Sequence, residues 1–108
     1  MLLLRNGVWD DRRVVARSWI EESFQPVVPT GDGLHYGRLW FIGDAPTPAL
    51  PGNRRWVAGF GNGGQRLWLM PDADVAVVIF SGNYNAWDAW ISPTRVWREI
   101  VLANLNRA

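Results

Sequence analysis

Residues 59–64, Gly-Phe-Gly-Asn-Gly-Gly, carry the spacing in this chain most suggestive of chemistry. Gly59, Gly61 and Gly64 fall at G-x-G-x-x-G, which in a dinucleotide fold follows a strand, opens a helix and cradles a pyrophosphate. Here the next residues, Gln65-Arg66-Leu67-Trp68-Leu69-Met70, interleave polar or aromatic side chains with leucine, and Pro71 stops them. That is the pattern of a strand, too short for a crossover helix. No acidic residue stands at the ribose-binding distance of about twenty positions further on. The simpler reading is a glycine-rich bend between two strands, where glycine supplies positive φ or lets backbone approach closely.

A bend of this kind needs a nucleophile and a base to become a catalytic site, and the sequence offers neither. All 11 basic residues are arginine. Ser92-Pro93-Thr94-Arg95 has the spacing of S-x-x-K, but a guanidinium stays protonated and cannot act as the base. Its proline makes the piece a helix start, with Ser92 as N-cap and Pro93 at the first helical position. Ser81 lacks the glycine two residues before it that a nucleophile elbow requires, because Ile79 stands there. His35 is the lone histidine and has no ligand-spaced partners, so no metal is expected. Asp10-Asp11 and Asp72/Asp74 flank turns and read as solvated.

The elements that must position the bend follow from periodicity. A helix is expected at about 14–24, a strand near 36–42, strands at 56–61, 65–70 and 75–81, and a closing helix over 93–105. Val75 through Phe80 is a continuous apolar, β-branched run of the kind buried on both faces of a sheet. Asp44 to Gly52, rich in proline, reads as a loop between two strands. Val96, Trp97, Ile100, Val101 and Leu105 form a helical stripe that packs the closing helix on the sheet.

The order of glycine bend, strand, P-D-x-D turn, apolar strand and Ser81-Gly82-Asn83-Tyr84-Asn85 resembles the carboxyl-terminal half of the β-lactamase-related serine hydrolases. These include the penicillin-binding D-alanyl-D-alanine peptidases, esterases, and the amide-hydrolase branch of 6-aminohexanoate-dimer hydrolase. Asn6-Gly7 with Trp9-Asp10, then Arg13-Val14-Val15 leading to Ser18-Trp19-Ile20, looks like the family's N-G-x-W-x-G-x-x-V segment and the helix after it. Leu34-His35-Tyr36-Gly37-Arg38-Leu39-Trp40 looks like its Y-G-x-x-W strand, and G-N-G-G-Q-R with L-W and P-D is the most specific piece.

The resemblance implies an α+β fold: an antiparallel sheet of three carboxyl-terminal strands plus one short strand, packed by helices, with residues 1–108 as a single partial domain. The family builds its site from S-x-x-K, Y-x-N and K-T-G. The K-T-G position falls on Gly59-Phe60-Gly61, or in a register two residues later on Gly61-Asn62-Gly63. In the first register the backbone N–H of Asn62 would be one of two oxyanion donors, and Gly59, Phe60, Gly61 and Asn62 form the substrate strand. Neither triplet starts with a cation, which fits the esterase and amide-hydrolase branches better than true β-lactamases. S-x-x-K and Y-x-N are missing, since Tyr84 is followed by Asn85 and then Ala86. The Ser, Lys and Tyr of the family would lie upstream. Met1 to Gly7 reads as the last turn of a helix, so the expectation is a carboxyl-terminal fragment, inactive alone, of a hydrolase acting on a small ester or amide without a cofactor.

Composition fits a folded piece, at 48% hydrophobic and 19% charged. A net charge of +1 carries no electrostatic footprint for nucleic acid, and no apolar run is long enough for a membrane span. Absent cysteine excludes disulfides and thiolate chemistry and leaves the compartment open. Eight tryptophans keep two other readings alive, a sugar- or ligand-binding module and a non-catalytic interaction domain. Trp19 and Trp97 are expected on helix core faces, Trp40, Trp56 and Trp68 in packed strands, and Trp87 and Trp90 in the open. The run from 75 to 81, unpaired along one side, is also expected to support self-association.

Overall fold

The structure is a computed structural model and describes residues 1–106. Its architecture is α+β, with a six-stranded antiparallel sheet whose strand order follows the chain. A turn of 3₁₀ helix, Leu3–Arg5, ends at Asn6 in the left-handed region, the stop expected of Asn-Gly. Next comes a small hairpin, β1 (Val8–Trp9) and β2 (Arg12–Arg13), turned by Asp10 and Asp11 at φ of 50° and 61°. Helix α1 (Arg17–Ser23) is shorter than expected and buries Ile20 and Ser23. Trp19 lies on its open side, not on a core face, because so short a helix has room for only one buried stripe.

The sheet then runs β3 (Val28–Pro29), β4 (His35–Gly37), β5 (Trp40–Thr47), β6 (Leu50–Gly61), β7 (Gln65–Met70) and β8 (Val75–Ile79). The single strand expected near 36–42 is in fact two, joined at Gly37 and Trp40 by a two-residue turn. Arg38 and Leu39 both take positive φ there, 40° and 74°, the geometry of a type I′ hairpin usually built from Asn-Gly. Leu39 is exposed and gains no burial for this. Leu39→Gly should therefore raise unfolding stability by about 0.5–1 kcal/mol, the left-handed penalty less the entropy cost of glycine. Urea titration checks this, and an unchanged midpoint would place no strain at Leu39.

The proline-rich stretch from Asp44 to Gly52 is not a loop. It is the tip of the β5–β6 hairpin, with Pro48 and Ala49 as its turn and a register shift between Pro46 and Thr47. Proline is tolerated at such an irregularity because no ladder N–H is needed.

Successive side chains along β6 and β7 point to opposite faces. One face gathers Trp56, Ala58, Trp68 and Met70 under the closing helix, where Trp97 and Leu102 are also buried. The other gathers Val57, Leu69 and Ile42 under Leu3, Leu4 and Phe24. The closing helix begins as α2 (Ile91–Arg95), two residues earlier than expected, with Trp90 rather than Ser92 at its N-cap. It continues as a π-helical stretch, Val96–Val101, and a 3₁₀ turn, Leu102–Asn104. Bonding i to i+5 brings Leu102 onto the face of Trp97 and turns Ile100 outward, which corrects the simple helical stripe. Strand β8 is the last strand of the sheet, and it is covered on one face only: Val75, Val77 and Ile79 pack toward the closing helix, while Val78 and Phe80 are exposed.

Candidate functional site

Gly59, Phe60 and Gly61 form the end of β6, and Asn62 opens the turn into β7. β7 pairs with this end throughout, with Gly59 opposite Leu67 and Gly61 opposite Gln65. Pairing with β5 runs only from Thr47 opposite Leu50 to Phe41 opposite Ala58. From Gly59 onward, one side of β6 has no strand partner among the described residues, which leaves backbone groups there for another chain or a ligand. A Cβ at Gly59 would meet nothing within 4 Å. It would point into a recess of about 450 Å³ bordered by Trp19, Ile20, Leu39, Trp40 and Leu67.

The turn glycines are held differently. Gly63 and Gly64 have φ of 89° and 92°. A Cβ on Gly63 would sit 2.8 Å from the Tyr84 ring, and one on Gly64 would sit 2.6 Å from the carbonyl oxygen of Ala89. The loop after β8 is clasped onto this bend. The Asn62 amide donates to Asn85 Oδ1 at 3.0 Å, the Asn85 N–H donates to Asn62 Oδ1 at 2.9 Å, and the Asn83 N–H donates to the Gly63 carbonyl at 3.2 Å. Gln65 clips the end of β8, donating to the Ser81 carbonyl and accepting the Ser81 N–H at 3.2 Å. Much of the G-N-G-G-Q string is thus explained by this clasp. Gly63 is buried under the loop and the exposed Asn62 is tied to it through Asn85, whereas Gly59-Phe60-Gly61 lies along the open side.

The two glycine classes differ in what substitution does. Gly64→Ala forces a side chain onto backbone at strained φ and should cost about 2–4 kcal/mol. Gly59→Ala meets open space and should cost about 1 kcal/mol or less. Thermal melts of the two variants check this, and equal losses would mean that Gly59 is also a packing position.

Phe60 points to the opposite face from Gly59, into an aromatic cluster the sequence patterning did not single out. Its ring stacks on Phe41 at 4.6 Å and meets Trp68 edge-on at 5.8 Å. Arg66 lies over it, with its guanidinium carbon 4.3 Å from the ring centroid. Burial pushes the Arg66 guanidinium below its ordinary pKa. Trp68 stacks on Trp97 with parallel rings 5.1 Å apart. Phe60, Arg66, Trp68 and Trp97, with Trp56 and Trp90 among others, line a cleft of about 530 Å³ between sheet and closing helix. The signal was present in the register: Trp56, Ala58 and Phe60 alternate on β6 opposite Arg66, Trp68 and Met70 on β7, so all must share one face.

The remaining candidates stay apart. Ser92 is exposed on the closing helix, and His35 is exposed on β4. Among the described residues, no group of three or more His, Asp or Glu side chains converges. Tyr84 packs on Gly63. Trp87 and Trp90 are exposed as expected, but Trp56, Trp68 and Trp97 are core residues, which leaves no flat row of exposed rings on the sheet.

No protein-family model matches the chain. It is, however, 30% identical over 125 aligned positions to a 6-aminohexanoate-dimer hydrolase of Paenarthrobacter ureafaciens. The chain is similar to a hydrolase. The alignment takes in 99% of this chain and 27% of the relative, so the chain spans about a quarter of the length of the protein it matches. This likeness supports a distant relationship at the level of the hydrolase superfamily whose motifs the sequence resembles. Among the described residues, no helix is long and apolar enough to cross a membrane.

Proposed function

We propose that the chain is the carboxyl-terminal portion of a serine hydrolase that cleaves a small ester or amide through an acyl-enzyme. It supplies the strand against which the substrate lies. The nucleophilic serine, its lysine and its tyrosine come from sequence upstream. In this reading Gly59, Phe60 and Gly61 flank the substrate, and the N–H of Asn62 is one of two donors to the oxyanion. A backbone donor aimed at developing charge is worth about 3 kcal/mol in a water-excluded site. The observation that carries the proposal is the open side of β6 beginning at Gly59, on a chain whose whole length aligns with a hydrolase. A Cβ-free position over an open recess lets a substrate approach the backbone.

On this account the chain by itself positions but does not attack. Nitrocefin and short p-nitrophenyl esters should be hydrolysed at the background rate, and a fluorophosphonate probe should leave every serine unlabelled. Stoichiometric labelling of Ser18, Ser23, Ser81 or Ser92, read by mass spectrometry, would overturn the upstream-nucleophile reading.

A further inference from the structure

We propose that Arg66 is a positioning residue for the oxyanion donor: from behind β6 it holds the Gly61–Asn62 peptide so that the Asn62 N–H faces the open side of the strand. This rests on the hydrolase reading above and adds to it a residue that never touches substrate. Arg66 is 9% exposed and makes no ion pair among the described residues. Its Nε has no partner there either. A buried cation without a counter-ion is unfavourable, because no carboxylate offsets its desolvation. What the guanidinium does hold is the mouth of the glycine bend. Its Nη1 donates to the carbonyls of Gln65 at 2.9 Å and Gly61 at 3.4 Å.

The Gly61 carbonyl and the Asn62 N–H belong to one peptide unit, which is trans, so the two point in opposite directions. Arg66 stands on β7, opposite Phe60 of β6. A donor at that place draws the Gly61 oxygen toward β7 and turns the Asn62 N–H away from it, toward the side of β6 that pairs with no strand beyond Ala58. The charge has a second effect. A cation at the carbonyl end polarises the amide and makes its N–H a stronger donor. The guanidinium is itself held in place: its central carbon lies 4.3 Å from the centroid of the Phe60 ring, and that ring stacks on Phe41 at 4.6 Å. The two bonds between Asn62 and Asn85 tie the far end of the same unit. The peptide is therefore gripped from both ends, and turning it over would lose the Arg66 contact.

The test compares Arg66→Met and Arg66→Lys with Asn62→Pro in the longer protein, reading acylation by fluorophosphonate as kinact and KI. Arg66→Met should lower kinact by about tenfold, a part of the loss expected from removing the donor outright, with KI unchanged. Its melting temperature should be unchanged or higher, since an apolar side chain replaces an uncompensated buried charge. Arg66→Lys keeps a cation able to donate to the same carbonyls and should hold kinact within about threefold of wild type. In the 108-residue chain, the carbon resonance of the Gly61 carbonyl, read through the Asn62 N–H, should move upfield in Arg66→Met as its donor is lost. A hundredfold loss in Asn62→Pro beside an unchanged kinact in Arg66→Met would overturn the role of Arg66 and leave the hydrolase reading standing. An Arg66→Met defect confined to KI, a tenfold loss in Arg66→Lys, or a Gly61 resonance that stays in place would overturn it too. An unaffected Asn62→Pro would overturn the hydrolase reading and this role with it.

Discussion

Sedimentation of the purified chain at tens of micromolar is expected to give dimers and larger species, not a clean monomer. Among the described residues β8 ends the sheet, and Val75–Ile79 therefore carries a row of N–H and C=O groups with no strand partner along one side. The strand contains no charge and no proline, the usual devices that blunt an edge. At the opposite end of the sheet, β3 is two residues long and contains Pro29, so it is a poor template. Val78 and Phe80 add exposed apolar surface beside the open ladder. A charge at Val77 or Val78 suggests itself from the sequence as the remedy, but the two positions are not equivalent. Val77 packs against the core beneath the closing helix, where a carboxylate would be desolvated. Val78→Glu places the charge on the open face and should shift the population toward monomer while leaving the melting temperature nearly unchanged. A wild-type chain that sediments as a monomer with a cooperative melt would contradict the account of this edge.

Trp68→Ala is expected to cost about 3–5 kcal/mol, the range for emptying a buried aromatic site. Trp68 is 2% exposed and sits between the edge of Trp56 and the face of Trp97. Its loss leaves a hole that β7, paired on both sides, cannot close by moving. Domains of this size have total stabilities of about 5–15 kcal/mol, so the variant should be largely unfolded or melt on the order of 20 °C lower. Trp87→Ala, at an exposed loop position, should change the melt by no more than about 0.5 kcal/mol. Circular dichroism melts of the pair check this. Equal behaviour would mean that the aromatic cluster is not the core.

How much of this was legible in the sequence depended on whether a residue's state was set locally. Gln65–Met70 was readable because interleaved leucines and a terminal proline define a strand without reference to its neighbours. The αL stop at Asn6 was readable for the same reason. The strands at Asp44 to Gly52 were not, because proline argues against a strand unless a bulge is already known. Nor was the break at Arg38-Leu39, since neither residue favours positive φ and only the hairpin imposes it. For the site, the glycine bend was found, but its internal division was not. Tyr84 and Asn85 lie twenty or so positions from Gly63 and Asn62, and that clasp forms only in three dimensions. The burial of Arg66 was invisible too, because a lone arginine in a strand reads as solvent-facing until the aromatic rings across the sheet are placed.

The most direct test of the central claim, that β6 offers an oxyanion donor to a nucleophile encoded upstream, is the acylation rate of the longer protein of which this chain would form the end. Fluorophosphonate should label a serine in an upstream S-x-x-K. Asn62→Pro, which removes the backbone donor, should slow that labelling by about a hundredfold. Asn62→Ala keeps the N–H and breaks only the clasp to Asn85, so it should slow labelling far less. Equal rates for the proline variant and the wild type, or a proline effect fully reproduced by alanine, would contradict the assignment of Asn62 and of the strand that carries it.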